Sequence, residues 1–443
     1  MRPASRKPPP PPTLEAFRPG TLVGRSGFYR LGQTRSGQWW WLDPQNRPFW
    51  LRSVAAVNRS GWSDGRSSQP GAYSAAVERL YSEDPDSFVR SALQRLRGWG
   101  FNGLGAWAAA EFYERDFGYT ELVEFRKVGP SFHSGRALLP DVFDPAWRDA
   151  ADAWARQICA PRASSRDLMG YFTDHELGWA QPAPPDTDGI VPVDARAEEP
   201  SLLQICLSLE PGYRAYHAAW EFVLAPRQGS LARLAADWGL DGPHRETVRQ
   251  LTQAERALVS PAYREDQRQF TREFARRYFS TCASLIRHYD PNHLILGCRF
   301  AQFPGAAVLK ECAEPHVDVV SIRPGREAWE RMVQACAGVN GRPVLLTGVT
   351  WSDPTFARMP LRREVRRLTS VERMLMKGRI HLEQLAGQRF AVGYEWSAWA
   401  DAEDDEPPFG RGLVRVNDRE AREHTELLAD LNGRAERLRA KSR

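Results

Sequence analysis

Gly170-Tyr-Phe-Thr-Asp-His-Glu-Leu-Gly-Trp179 has the pattern of a buried strand that ends in a carboxylate beside an aromatic ring. Leu168 to Phe172 is a short apolar run, as expected where both faces of a parallel strand are covered. Asp174, His175 and Glu176 follow where the strand should leave the core, and in a (β/α)8 barrel that edge carries the chemistry. The alternative is that Glu176 is a solvated loop carboxylate next to a packing tryptophan.

Eight candidate strands follow one another along the chain, most of them followed by helical segments. This alternation implies parallel βαβ units, and a count of eight favours a closed barrel over an open sheet. The predicted strands are 49–58, 101–107, 124–128, 168–172, 293–300, 317–322, 343–349 and 390–399. The predicted helices are 75–97, 145–160, 306–312, 326–337, 362–385 and 418–431.

The predicted fold is therefore α/β, a (β/α)8 TIM barrel with an N-terminal β-hairpin and a helical insertion after strand 4. Residues 1–20 are rich in proline and are expected to form a disordered tail. Residues 21–48 form the hairpin, around a turn at Ser36-Gly37. The barrel covers 49–432, including a mostly helical insert at about 180–290, and 433–443 is a basic C-terminal tail.

Composition narrows the classes of function. The formal charge is +5, and the arginines that carry most of the positive charge are scattered, whereas a nucleic-acid-binding face would concentrate them. The six cysteines show no CxxC pair, so neither a metal site nor a disulfide framework is predicted. No secretory signal or membrane-spanning stretch is recognised, so a cytoplasmic protein is the default expectation. No cofactor is predicted, and the oligomeric state stays open.

Several predicted strands deliver an indole ring at their carboxyl ends. Indole faces offer apolar platforms for pyranose rings, although a single tryptophan is more often a packing residue. Five strand ends of this kind favour a sugar cleft, with further side-chain donors at similar depths. The tryptophans are Trp62, Trp107, Trp179, Trp351, Trp396 and Trp399, and the donors are Asn102, His175 and Arg299.

Hydrolysis of a glycosidic bond requires two carboxyl groups, one acting as acid and one as nucleophile or base. Glu176 is the candidate acid, because a carboxyl group at the mouth of an apolar strand has its charged form disfavoured.

Six motifs resemble, in order, the barrel motifs of clan A retaining glycoside hydrolases of the β-agarase and β-galactosidase type. The similarity covers roughly residues 27–432, and residues 229–239 also resemble the helical insert of that group. Each motif is short, but their order and spacing together are fairly specific. The motifs are Phe49-Trp-Leu-Arg-Ser-Val-Ala-Ala-Val-Asn58, Trp99-Gly-Phe-Asn-Gly-Leu-Gly-Ala-Trp107, Gly170-Tyr-Phe-Thr-Asp-His-Glu176, Asp290-Pro-Asn-His-Leu-Ile-Leu-Gly-Cys-Arg-Phe-Ala301, Arg342-Pro-Val-Leu-Leu and Gly393-Tyr-Glu-Trp396.

The resemblance implies roles for residues at two strand ends. Glu176 matches the acid/base glutamate that closes strand four, and His175 stands where an asparagine usually contacts the sugar 2-hydroxyl. Asp174 lies beside them as a further candidate for sugar binding. On strand seven, Gly348 occupies the position of the nucleophile glutamate, and a glycine has no group that could form a glycosyl-enzyme intermediate.

Four carboxylates are candidates to replace the missing nucleophile. Glu395 on strand eight is the most interesting, and the alternative is a rim carboxylate paired with an arginine. Asp353 lies five residues beyond Gly348, and Asp401 and Glu403 belong to an acidic loop that is otherwise expected to be solvated.

The leading hypothesis is a glycoside hydrolase-like protein that acts on or binds a β-linked, galactose-containing oligo- or polysaccharide, with Glu176 as the acid/base. The rival is a carbohydrate-binding or scaffold protein that kept the barrel and lost its nucleophile. A third possibility is a barrel that carries out another chemistry at the same edge.

Overall fold

The computed structural model describes residues 11–61, 71–134, 137–177, 201–251, 260–301, 303–323, 329–351, 369–403, 405 and 407–441. These residues form a curled, parallel eight-stranded sheet with helices around it, consistent with a TIM-like α/β fold. The strands in chain order are β1 (Arg30–Gln33), β2 (Trp39–Leu42), β3 (Pro48–Phe49), β4 (Leu51–Val54), β5 (Gly103–Leu104), β6 (Gly118–Leu122), β7 (Ser131–Ser134), β8 (Ala137–Pro140), β9 (Leu168–Phe172), β10 (Leu294–Ile295), β11 (Val320–Ile322), β12 (Val344–Val349), β13 (Ala391–Trp396), β14 (Ala398–Ala400) and β15 (Gly412–Val414).

The large sheet has the order β10-β9-β6-β5-β4-β13-β12-β11, and all its pairings are parallel. Its two edge strands are joined as well. The amide of Asp318 donates to the Ile295 carbonyl at 2.8 Å, and the amide of Phe300 donates to the Ser321 carbonyl at 2.9 Å. The carboxyl ends of the strands therefore converge on one edge of the curled sheet.

A small antiparallel sheet of β1, β2 and β3 packs into the other end of the curled sheet. Its side chains share a buried apolar cluster with residues from the large sheet. Because this cluster fills the amino-terminal end, the opposite edge is where a site has room. The cluster includes Leu31, Trp39, Trp41, Leu51, Met169, Leu294, Leu345 and Val392.

Helices cover the outside of the sheet and fill much of the segment between β9 and β10. In the longest, Ser260 caps the amide of Tyr263 and Pro261 takes the first position, where a missing N–H costs nothing. The α-helices are Ala72–Tyr81, Pro85–Gly98, Pro145–Cys159, Leu202–Ser208, Arg214–Leu224, Leu231–Trp238, Arg245–Arg249, Pro261–Tyr289, Trp329–Asn340, Ser370–Gly387, Arg422–Asn432 and Ala435–Lys441, and Val308–Ala313 is a π-helix. Among the described residues, no helix is long and apolar enough to cross a membrane.

The predicted third strand at 124–128 is wrong. The strand is Gly118–Leu122, while Glu124 adopts a left-handed conformation with φ of 61° and Phe125–Lys127 forms a 3-10 turn. A left-handed residue cannot continue an extended strand, so the chain turns at Glu124 and buries Phe125 in the core.

The predicted helix at 75–97 is two helices, Ala72–Tyr81 and Pro85–Gly98. Proline is disfavoured inside a helix and favoured at its first turn, and here the Asp84 side chain accepts from the Asp86 amide to start the second helix.

Both predicted tails contain ordered structure. The basic tail at 433–443 includes the helix Ala435–Lys441, in which the Arg439 side chain is buried. The predicted disordered segment 1–20 includes 3-10 turns at Leu14–Ala16 and Pro19–Thr21, with Phe17 buried against Trp40. Apolar contacts that are distant in sequence stabilise both segments.

Candidate functional site

Strand β9 positions the central side chains of the site. All five of its residues are buried, as are Thr173 and Asp174, and the chain reaches solvent at His175 and Glu176. Glu176 has a φ of 50°, a left-handed conformation that non-glycine residues seldom adopt and that occurs often at functional sites.

Asp174 is an internal anchor of this edge. Its carboxylate accepts hydrogen bonds from the Tyr278 hydroxyl at 2.7 Å and from the Arg126 amide at 3.1 Å. Complete burial raises the pKa of Asp174 to about 7, and the Tyr278 hydrogen bond opposes that rise. The structure encloses this predicted sugar-binding side chain completely and does not bring it to the open edge.

His175 is a neutral imidazole beside Glu176. Its Nδ1 accepts from Arg299 Nε at 3.1 Å, which assigns the ring proton to Nε2. Burial, followed by the charges of Arg299, Arg323 and Arg126, lowers the pKa of His175 to about 2. Nε2 lies 3.7 Å from Glu176 Oε1, too far for a hydrogen bond. The imidazole N–H and the carboxylate are therefore neighbours at the same edge of the sheet.

Glu395 is held in a buried ion pair. Arg299 donates to both carboxylate oxygens, at 3.0 and 2.6 Å, and the amide of Ala106 donates to Oε2 at 2.9 Å. Each of the two side chains is only 1% exposed. Gly105 makes the close approach possible, because a Cβ there would lie 2.4 Å from Glu395 Oε2.

The structure therefore places Glu395, the candidate second carboxylate, in an enclosed ion pair in which its oxygens are already bound. The same enclosure excludes Arg299 from direct contact with a sugar. Its guanidinium packs over the rings of Trp107 and Phe172, at 4.9 and 5.0 Å.

Arg323 is the described cation that pairs with Glu176. It follows β11, and its Nη1 donates to Glu176 Oε1. The side chains are 41% and 30% exposed, so the pair lies at the open edge. The sequence predicts apolar surroundings for Glu176, whereas its described ionic partner is this guanidinium.

The arm of Arg323 also covers Gly348. Gly348 has a φ of 67°, and a Cβ built on it would lie 2.5 Å from Arg323 Nε. The resemblance predicts that the nucleophile glutamate is replaced at Gly348, and at this position the Arg323 side chain packs against the glycine backbone.

Three of the predicted tryptophans are core residues. Trp351, Trp396 and Trp399 are completely buried, and the first two rings are 4.5 Å apart. Their indole N–H groups donate to His424 Nδ1, the Arg411 carbonyl and the Tyr73 hydroxyl respectively. The structure therefore places the two predicted sugar platforms Trp351 and Trp396 in the core, with neither ring exposed.

Trp107 is different, because it is only partly buried and its ring meets that of His175 edge-on at 4.8 Å. Through this contact with His175, Trp107 is the predicted aromatic residue that lies next to Glu176 among the described residues. Trp62 and Trp179 lie outside the described residues.

Asn102 lies at the amino end of β5, away from the site. Its Nδ2 donates to the Trp50 carbonyl at 3.0 Å, and its Oδ1 accepts from the Arg52 amide at 2.8 Å. It joins β4 to β5 where the strands begin, so the structure does not bring this predicted sugar ligand to Glu176.

The acidic loop gives no free second carboxylate among its described residues. Asp401 accepts from the Gly412 amide at 2.7 Å and pairs with Arg415 at 2.8 Å, and Glu403 accepts from the Ala72 amide at 2.7 Å. Asp353 lies outside the described residues.

Comparison with known proteins relates the chain to agarases. No family model matches it. It is 24% identical over 271 residues to beta-agarase B and 26% identical over 244 residues to beta-agarase A, both of Vibrio sp. strain JT0107. These alignments cover 56% and 52% of this chain but only 26% and 23% of the two agarases.

Solved agarase structures are similar to this chain in fold. An exo-beta-agarase has a TM-score of 0.68 at 18% identity, over 94% of this chain and 66% of its own. Another agarase structure has a TM-score of 0.69 at 17% identity, over 98% of this chain and 68% of its own. The chain is therefore homologous to β-agarases and similar to agarase structures in fold.

Proposed function

We propose that this protein binds a β-linked, galactose-containing saccharide at the Glu176 edge and does not hydrolyse it by the two-carboxylate mechanism. The observation that carries the proposal is the pairing of Glu176 with Arg323 over Gly348. Homology to β-agarases supports the class of ligand.

The chemistry of the described contacts supports binding over turnover. Glycoside hydrolysis passes through a transition state with positive charge on the sugar, stabilised by a carboxylate on one face while an acid protonates the leaving oxygen. The described partners of Glu176 are a guanidinium and a neutral imidazole. The Arg323 guanidinium occupies the Glu176 carboxyl group, and it repels the positive charge that develops on the sugar.

The same groups suit recognition of a sugar in its ground state. Glu176 offers acceptor oxygens, His175 Nε2–H is a donor, and the partly exposed Trp107 ring offers an apolar surface. Pyranoses require this combination of polar groups around a flat face.

Calorimetric titration with neutral agaro-oligosaccharides tests the proposal. We expect millimolar or tighter binding that weakens at least fivefold in Trp107→Ala and is unchanged in Leu80→Ala, which removes an exposed apolar side chain elsewhere. Thermal unfolding of each variant checks that it folds. Absence of binding at millimolar concentration contradicts the proposal.

An active hydrolase is the second candidate, favoured by the position of Glu176 at the end of β9 and by the agarase homology. In that case a residue outside the described ranges, such as Asp353, would supply the second carboxylate. Release of reducing ends that is lost in both Glu176→Gln and Asp353→Asn would establish it.

A further inference from the structure

Arg323 presents a guanidinium at the open edge of the site. Its amide donates to the Phe300 carbonyl at 2.7 Å, which fixes the backbone just beyond β11. Its side chain is 41% exposed, and its described side-chain hydrogen bond uses Nη1 alone. A guanidinium carries five N–H donors in a planar fork, so a single described side-chain hydrogen bond leaves donors of this partly exposed group available to a ligand.

Gly348 is matched to this arginine. Any side chain at that position would collide with the Arg323 arm and would also require a left-handed backbone. The glycine therefore does more than lack a carboxylate, because it leaves the space in which the guanidinium lies.

Further positive charge lies nearby. Arg126 and Lys127 both act on His175 electrostatically, together with Arg323 and Arg299. Lys127 is paired with Glu124 at 2.7 Å, but the carboxylate nearest to Arg126 is Asp174, at 3.9 Å from Nε. Burial keeps Asp174 incompletely ionised near neutral pH, so the charge of Arg126 is only partly compensated.

We propose that Arg323 selects saccharides that carry an anionic oxygen group, a carboxylate or a sulfate ester, on the galactose unit bound over Gly348. This inference rests on the proposed function. A guanidinium recognises such oxyanions through paired N–H donors, and these charge-assisted bonds are about twice as strong as neutral ones. The Glu176 carboxylate keeps Arg323 in place in the absence of ligand and competes with the anion for it.

Titration of the full chain with three β-linked galacto-oligosaccharides of equal length tests the inference: one neutral, one sulfated and one carboxylated. We expect the wild type to bind at least one anionic ligand tenfold or more tighter than the neutral one, and the better of the two anions identifies the group. Arg323→Gln should abolish this preference, so that its affinities for the neutral and the anionic ligands lie within twofold of each other, and Arg323→Lys should keep part of it.

Arg379→Gln is the matched control. Arg379 is also 41% exposed and paired with a carboxylate, but it lies on the outer helix Ser370–Gly387. It should leave the preference intact. Glu176→Gln should strengthen anionic binding, because it removes the competing carboxylate.

The outcomes separate the two proposals. If the neutral ligand binds as tightly as the anions and Arg323→Gln changes nothing, this inference fails and the proposed function stands. If none of the three ligands binds, the proposed function fails and the inference falls with it.

Discussion

At the scale of single residues, an ion pair with Arg299 occupies both carboxylate oxygens of Glu395, the candidate second carboxylate. Both side chains are buried and fully engaged. Removing one partner of a buried pair leaves a charge without compensation, which costs about 3 kcal/mol or more. We expect Glu395→Gln to lower the free energy of unfolding by about 3 kcal/mol, measured by urea denaturation.

Glu383→Gln provides the control, because Glu383 forms a partly exposed pair with Arg434, and its loss should cost less than about 1 kcal/mol. A Glu395→Gln protein as stable as the wild type would contradict the structural role. Loss of a measurable hydrolytic activity without loss of stability would assign Glu395 to the chemistry instead.

Asp174 predicts a pH dependence of stability. Its pKa is raised from 3.8 to about 7 by burial, so the folded protein holds the proton more tightly than the unfolded chain. The contribution of Asp174 to the free energy of unfolding is therefore fully present below about pH 4, and it is lost as the pH rises towards 7. The melting temperature of Asp174→Asn relative to wild type should therefore rise between pH 4 and 7, by differential scanning fluorimetry. A constant difference across that range would contradict the burial effect.

Gly348 and Arg323 predict a coupled pair of substitutions. Gly348→Glu alone should destabilise the fold, because it adds a side chain against Arg323 in a left-handed backbone that costs about 1–2 kcal/mol. The double variant Gly348→Glu with Arg323→Ala should lose the part of this destabilisation that comes from the steric clash. A double-mutant cycle of unfolding free energies measures this coupling, and additive effects would show that the two side chains do not compete for space.

The residues also show what sequence alone could decide. Glu176 and His175 were located because a fully apolar run ends directly before them. Glu395 and Trp396 were both assigned to the cleft, although neighbours on a strand point to opposite faces. Glu395 points inward and Trp396 packs outward, so alternation alone could have separated them. Arg323 was missed, although an arginine directly after a predicted strand was a readable signal.

At the scale of elements, the prediction succeeded where one physical signal dominated. Strand β9 matches its predicted range, because five consecutive residues are buried. Short strands such as β5, with two residues, cannot be delimited by periodicity. The helix Ala435–Lys441 was missed because its sequence is basic and its stabilising partners are distant in the chain.

Arg439 explains why that helix docks. It lies over the Trp40 ring at 5.2 Å, and its guanidinium donates to the carbonyls of Gln388 and Arg389 at 2.9 and 3.0 Å and also to that of Trp39. Burial lowers the pKa of Arg439 to about 9.

We expect Arg439→Met to destabilise the fold by about 2 kcal/mol, because these buried carbonyls lose their donors. Arg437→Met, on the exposed face of the same helix, should change the free energy of unfolding by less than about 0.5 kcal/mol. Equal effects of the two substitutions in urea denaturation would contradict the docking role.

At the scale of the whole molecule, the curled parallel sheet explains why residues far apart in sequence meet. The ends of β5, β9, β11, β12 and β13 bring Trp107, Glu176, Arg323, Gly348 and Glu395 to one edge. The predicted strand ends account for the convergence of these residues, except for Arg323. The charges within it were not predictable, because they depend on which arginine reaches which glutamate.

Proton NMR of a neutral agaro-oligosaccharide mixed with the wild-type protein tests the central claim most directly. Saturation transfer from protein to ligand reports binding, and new anomeric signals report cleavage in the same sample. We expect saturation transfer to the ligand and no anomeric signals beyond those formed with Glu176→Gln. Rapid appearance of new anomeric signals with the wild type, lost in Glu176→Gln, would contradict it and establish a hydrolase.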